Sequence, residues 1–260
     1  MMDPAGQRGT KPREGGKTMV IDKGLGLASF HDLLETSHDY IDIIKLGFGT
    51  AALYPRHLLE QKIAMAKEKN IVIYPGGTFQ EIAVFRDLSH QYVERVAELG
   101  FNGIEISDGT IEMSPAIRKQ MIRMGKSAGL RVVTEYGKKC WGSRLRIDDL
   151  VETALSDAEC GAELFIVEGR ESGSGVGIYD ELGHCRDEEI LEVVRRLGGS
   201  EWLMWEAPHK DQQVHLIQLL GRNTHFGNIA PQDVYSLEAL RRGLRMDTFH
   251  FELALADQVL

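Results

Sequence analysis

The chain has 260 residues, 43% hydrophobic and 27% charged, with a formal net charge of −9 and an isoelectric point near 5.5. That acidic balance argues against a broad nucleic-acid or anionic-membrane surface, and no apolar run is long enough to span a bilayer. The N-terminus lacks the apolar core of a secretory signal, and Cys140, Cys160 and Cys185 have neither metal-type nor redox-type spacing, so a reducing cytoplasm is expected.

Residues 1–16 are rich in glycine, proline and charge and read as a flexible N-terminal arm. From Lys17 onward a regular rhythm begins, and residues 17–260 read as one domain. Its β-rich runs are Thr18–Asp22, Ile41–Leu46, Ile71–Tyr74, Gly103–Ser107, Arg131–Tyr136, Ala162–Glu168, Glu201–Glu206 and His225–Ile229. Helical patterns separate most of them. Pro55 opens Arg56–Lys69, and Ser114-Pro115 offers a cap and a first-turn proline to a helix that Gly129 stops. Asp148–Cys160, Asp187–Leu197, Lys210–Leu220 and Ser236–Arg242 each end at a glycine. Eight strand–helix alternations predict a (β/α)8 TIM barrel of the α/β class, with an open doubly wound sheet as the competitor.

Glu105, Glu135, Glu168 and Glu206 each close a β-like apolar run. Side chains alternate along a strand, so Val133 shares a side with Glu135, Ile166 with Glu168 and Met204 with Glu206. Lys45 shares a side with Ile43 on the second strand, and Asp22 and Lys23 compete for the corresponding place on the first. Placing the four glutamates and Lys45 inward gives a polar mouth above an apolar floor. Carboxylates gathered there repel one another, and a divalent cation relieves that repulsion. Oxygen-only ligation favours Mg2+ or Mn2+ over zinc, and the nine histidines show no HExxH-like pairing. The bland reading of any one glutamate is an ion pair with a neighbouring lysine or arginine.

Lys23, Lys45, Lys138, Lys139, Arg170 and Lys210 supply cations near the strand ends, which suits a small anionic substrate. Either Lys138 or Lys139 could reach it as an acid, and at least one of the two reads as a solvated turn. The run Val167 to Gly177 is the densest in glycine. It lacks the dinucleotide fingerprint, but its N–H groups could bind an anion, or the loop could close as a lid. Gly227 and Asn228, ending the last strand, are phosphate-site candidates by position. Cys140 reads as a packed or half-exposed thiol, and no Ser/His/Asp or Cys/His arrangement is visible.

Read together, several motifs resemble the phosphosulfolactate synthase family. They are Lys17 to Gly24, Ile44-Lys45-Leu46-Gly47-Phe48-Gly49-Thr50, Ile104 to Thr110, Val167 to Ser172, Glu206-Ala207-Pro208, Gly227-Asn228-Ile229 and Leu237 to Arg241. The resemblance runs from about Lys11 to Asp247. One departure is Met246, in Gly243-Leu244-Arg245-Met246-Asp247-Thr248, where the family has glycine. The resemblance implies a barrel carbon–sulfur lyase catalysing Mg2+-dependent addition of sulfite to phosphoenolpyruvate. The product would be (2R)-2-phospho-3-sulfolactate, a precursor of coenzyme M or of sulfolactate.

On that reading Glu105, Glu135, Glu168 and Glu206 supply the metal ligands, two or three of them directly. Lys138 is the acid, with Lys45 as alternative, and Lys23, Arg170, Ser172, Gly227 and Asn228 bind substrate. A homo-oligomer is expected, with small-molecule substrates and neither nucleic acid nor membrane as partner. A plant heat-stress-associated branch of the family is a non-catalytic alternative, and another metal-dependent lyase or aldolase on a phosphorylated acid is a third reading.

Overall fold

The computed structural model describes residues 8–249. Eight strands alternate with helices: Thr18–Asp22 (β1), Ile43–Leu46 (β2), Val72–Pro75 (β3), Gly103–Ile106 (β4), Arg131–Tyr136 (β5), Leu164–Val167 (β6), Leu203–Glu206 (β7) and His225–Ile229 (β8). All pair in parallel in the order β3-β2-β1-β8-β7-β6-β5-β4. The sheet curls until β3 and β4 face each other, giving a nearly closed (β/α)8 barrel. At that seam the Asn102 side chain takes the place of ladder bonds. Its Oδ1 accepts the Ile73 N–H at 2.7 Å and its Nδ2 donates to the Ile71 carbonyl at 3.1 Å.

The strands alternate as half-buried sequence requires. Met19, Ile43, Val72, Tyr74, Val133, Leu164, Ile166 and Met204 point inward and form the barrel floor. Their neighbours Val20, Ile44, Ile73, Ile104, Val132 and Phe165 point outward into the larger core beneath the helices. Those helices are Leu27–Ser37 (α1), Arg56–Glu68 (α2), Gly77–Phe85 (α3), Ser89–Glu98 (α4), Pro115–Ser127 (α5), Ile147–Glu159 (α6), Asp187–Leu197 (α7), Lys210–Leu220 (α8) and Val234–Arg241 (α9). The expected boundaries hold within about two residues. The Ser114 hydroxyl caps α5 at the Ile117 N–H, and Gly198 ends α7 at φ 76°. Helices α1, α3 and α4 lack such punctuation, and α3 turns out to matter most to the site.

In the described part of the N-terminal arm, residues 8–16, side chains reach the barrel, while residues 1–7 lie outside the described residues. Lys11 Nζ donates to the carbonyls of His38, Ile41 and Lys69 at 2.7–3.1 Å, and buried Arg13 pairs with Asp42 at 3.2 Å. Both side chains fasten the chain under the N-terminal ends of β2 and β3. Met246 has 86% of its surface exposed and is not among the described non-glycine residues with positive φ, so its side chain meets no steric obstacle there. Among the described residues no helix is long and apolar enough to cross a membrane.

Candidate active site

At the C-terminal ends of the strands lies a cavity of about 230 Å³, lined by Lys45, Thr78, Lys139, Glu168, Arg170 and Glu206, with Ile21, Phe48, Gly77, Thr110, Glu171 and Asn228 completing its wall. Strand alternation brings Lys45, Glu105, Glu135 and Glu206 to the inside, and Glu168 follows β6 by one residue. All five are buried. Lys45 Nζ sits among three of the carboxylates, 2.8 Å from Glu135, 3.1 Å from Glu105 and 3.3 Å from Glu206. Lys139 Nζ forms a second centre, 2.9 Å from Glu135, 3.4 Å from Glu81 and 3.7 Å from Glu168.

Glu135, Glu168 and Glu206 each present a carboxylate oxygen within 4.8 Å of the other two. Glu206 Oε2 is oriented by the N–H groups of Gly169 and Arg170, both at 3.0 Å, and Arg170 N–H also donates to Glu168 Oε1 at 2.7 Å. The glycine-rich loop therefore spends its first N–H groups on aiming these carboxylates. Glu135 Oε1 and Glu168 Oε2 accept no hydrogen bond of good geometry, although both are buried. Buried oxygens that converge in this way, with only the Lys139 ammonium as ionic partner for Glu135 Oε1 and Glu168 Oε2, fit a hard divalent cation such as Mg2+ or Mn2+.

The local charge balance is compatible with such an ion. Five buried carboxylates, counting Glu81, face the two ammonium groups of Lys45 and Lys139. Burial lifts Glu105 to about 7, with Lys45 pulling the other way. Burial, with Glu206 and Glu135 adding to it, holds Glu168 well above the carboxylate range. Burial also pushes on Glu135, but Lys139 and Lys45 outweigh it and its carboxyl lies low. For both lysines burial opposes the charge and the glutamates overcome it, raising Lys45 and Lys139 above the ordinary amine value. Neighbouring carboxylates driven in opposite directions are a mark of functional sites.

The other sequence-derived candidates divide. Lys138 turns away from the cavity, donating to the carbonyls of Asp108 and Ile111 at 2.9 and 2.8 Å and pairing with Glu112 at 3.1 Å, with 41% of its side chain exposed. Lys139 takes the inward place. Continuing the alternation from Glu135 through Gly137 was the available signal. On β1, Ile21 lines the cavity while Asp22 points outward to a buried pair with Lys62. Lys23 lies on the surface, paired with Glu171 at 3.0 Å.

Ser172 is exposed outside the lining, its carbonyl beside His209 Nε2 at 2.9 Å, and Lys210 pairs with Asp247 at 3.0 Å. Gly227 lies under the site, where a Cβ would come within 2.7 Å of Met19 Cε and 3.3 Å of Glu206 Cγ. Asn228 lines the cavity, is buried, and leaves its Oδ1 without a partner. Phe48, Arg170 and Asn228, all in the wall, hold φ near 57°, a strained setting for residues other than glycine and one that clusters at working sites.

Two loops carry the inward cations. Residues after β5 and after β6 pair as short parallel strands, Ser143–Arg144 with Val176–Gly177, and the Gly142 N–H donates to the Gly175 carbonyl at 2.7 Å. The Arg170 guanidinium donates to the Lys139 carbonyl at 3.2 Å, so both cations are set on one connected structure. Gln80, Glu81, Thr78 and Thr110 also belong to this neighbourhood. Thr110 lies in the Ile104 to Thr110 motif, but Thr78, Gln80 and Glu81 were not singled out from sequence, because α3 carries no recognisable cap.

A parallel barrel with its charged groups collected at the C-terminal strand ends defines a protein of the barrel-enzyme class. Within that class the chain belongs to the (2R)-phospho-3-sulfolactate synthase (ComA) family, whose model matches residues 6–247. It is 42% identical over 243 residues to the phosphosulfolactate synthase of Methanothermobacter thermautotrophicus, covering 93% of this chain and 94% of that one. To the phosphosulfolactate synthase of Methanocaldococcus jannaschii it is 41% identical over 236 residues, covering 90% and 94%. Among solved structures, 3-hexulose-6-phosphate synthase from Salmonella typhimurium superposes with a TM-score of 0.55 at 15% identity, covering 92% of this chain and 99% of that one. That last likeness is one of fold alone.

Proposed function

We propose that this chain is a Mg2+-dependent phosphosulfolactate synthase, adding sulfite to phosphoenolpyruvate to form (2R)-2-phospho-3-sulfolactate. The observation that carries the reading is the trio Glu135, Glu168 and Glu206, buried, within 4.8 Å of one another and flanked by two lysines, in a chain of this family. Sulfite sulfur would form a bond to the methylene carbon of phosphoenolpyruvate, and the π electrons of the breaking double bond would move toward C2 and its carboxylate. A divalent ion held by the trio would supply Lewis-acid compensation for that charge.

The Lys139 ammonium, which faces the cavity where Lys138 does not, is the group placed to deliver a proton to C2 from one side. Lys45 holds Glu105, Glu135 and Glu206 together beneath the substrate. Arg170 and the NH2 group of Asn228, both in the cavity wall, offer donors to phosphate or sulfite, and Lys23 stands at the rim.

A retired, heat-stress-type barrel would have lost part of this charged set. Here Lys45, Glu105, Glu135, Glu168 and Arg170 are all present. The direct test incubates the pure protein with phosphoenolpyruvate, sulfite and Mg2+ and follows phosphorus NMR. A new phosphate ester that needs both sulfite and metal is expected. Consumption of phosphoenolpyruvate without sulfite would favour a different lyase or aldolase, and no reaction at any metal or pH tried would sink the assignment.

A further inference from the structure

Glu81 has no part in the roles given so far. It is the fifth residue of α3, only 1% exposed, yet its carboxylate reaches back toward the mouth. Oε2 accepts the Thr110 N–H at 2.7 Å, while Oε1 accepts the Ser107 hydroxyl and faces Lys139 Nζ at 3.4 Å. Its neighbour Gln80, also buried, accepts the Ser107 N–H at 2.9 Å. Together they clamp the chain just past β4 where Thr110 enters the cavity wall.

Lys139 Nζ has three carboxylate neighbours, Glu135, Glu168 and Glu81. The first two belong to the metal-fitting trio, and an ion bound there would compete with the ammonium for their oxygens. Glu81 stands outside the trio. It stays available to the ammonium, along with the hydroxyls of Thr78 and Ser107 at 3.5 Å each. We propose that Glu81 is a positioning residue that holds the Lys139 side chain over the cavity when the trio is occupied. The inference rests on the functional reading above, in which Lys139 faces the substrate.

The test compares wild type, Glu81→Gln, Lys139→Met and the double variant. Glu81→Gln keeps the side chain's size and one acceptor for the clamp but removes the charge facing Lys139. Its kcat with phosphoenolpyruvate, sulfite and Mg2+ is expected to fall about 10-fold or more, a part of what a placed acid supplies. KM for phosphoenolpyruvate should stay within about 3-fold, because the anion contacts remain. Mn2+ affinity without substrates should also stay within about 3-fold, whereas Glu168→Gln weakens it at least about 10-fold. The double variant should turn over no more slowly than Lys139→Met, since a residue acting through Lys139 has nothing left to act on.

Normal kcat in Glu81→Gln, or losses that multiply in the double variant, would overturn the proposal. Wild-type protein that makes no sulfite-dependent product would overturn the functional reading instead. The contact is then decided without turnover: at saturating Mn2+ the two substitutions should couple in the urea midpoint, and additivity there removes the positioning role.

Discussion

Lys45 is the residue on which the mouth balances. Its ammonium lies 2.8–3.3 Å from three carboxylates that are all but sealed from water, and burial alone would push the proton off. The carboxylates win that contest, so the lysine carries a charge that in turn keeps them close together. Removing one partner of a buried ionic group costs about 3–5 kcal/mol because the rest are left uncompensated. Lys45→Met should therefore lower the unfolding free energy of metal-free protein by about that amount in urea titrations. A divalent cation answers the same repulsion, so millimolar Mn2+ should raise the urea midpoint more in Lys45→Met than in wild type. An equal or smaller rise would mean that Glu135, Glu168 and Glu206 do not act as a cation site. The identity of these residues was legible from sequence because each lies within one residue of a strand end, where direction follows from alternation. Lys138 and Lys139 lie beyond the strand, past Gly137 at φ 134°, where only the alternation continued from Glu135 points to Lys139 and composition does not separate the two.

At the scale of elements, the same contrast separates α3 from its neighbours. Helices α5 and α7 announce themselves through Ser114-Pro115 and Gly198, whereas α3 begins at Gly77 with no side-chain cap. Its first N–H is satisfied from the adjoining strand β4, by Glu105 Oε1 at 2.7 Å. A helix whose start is fixed by tertiary contact leaves no local signature, and Glu81 and Gln80 were hidden with it. The seam between β3 and β4 was hidden for a similar reason. Periodicity finds eight strands but does not say that one pair is joined by Asn102 instead of a ladder. Asn102→Ala leaves the Ile73 N–H and the Ile71 carbonyl without those partners, at a cost of about 1–3 kcal/mol. Hydrogen exchange should show the loss concentrated at Ile73, with amides on the far side of the barrel, such as Phe226 on β8, little changed. Uniform acceleration around the barrel would mean that the seam has no independent role.

For the whole molecule, the alternation of strands and helices made the barrel legible, but its closing contacts depend on residues far apart in sequence. His225 makes two of them. The Lys17 N–H, just before β1, donates to its Nδ1 at 2.8 Å, which leaves Nε2–H to donate to the Glu201 carbonyl ahead of β7 at 2.6 Å. The ring is buried and works in this bridge only when neutral. Burial lowers its pKa to about 4, and Lys17 and Arg241 nearby oppose a further positive charge, though the Glu201 carbonyl favours one. In the unfolded chain the same ring titrates near 6.5. Between these values the unfolded state binds the extra proton, so stability falls as pH falls; above about 6.5 the contribution is complete. The wild-type protein should lose roughly 2–3 kcal/mol through this group by pH 4.5. His225→Gln cannot titrate, so although less stable at pH 7 it should lose correspondingly less between pH 7 and pH 4.5. Urea unfolding of both proteins at the two pH values isolates the histidine from the acid-sensitive carboxylates they share. Parallel losses would show that the bridge tolerates the proton and that the closure of β8 against β1 and β7 is held by the strand ladder alone.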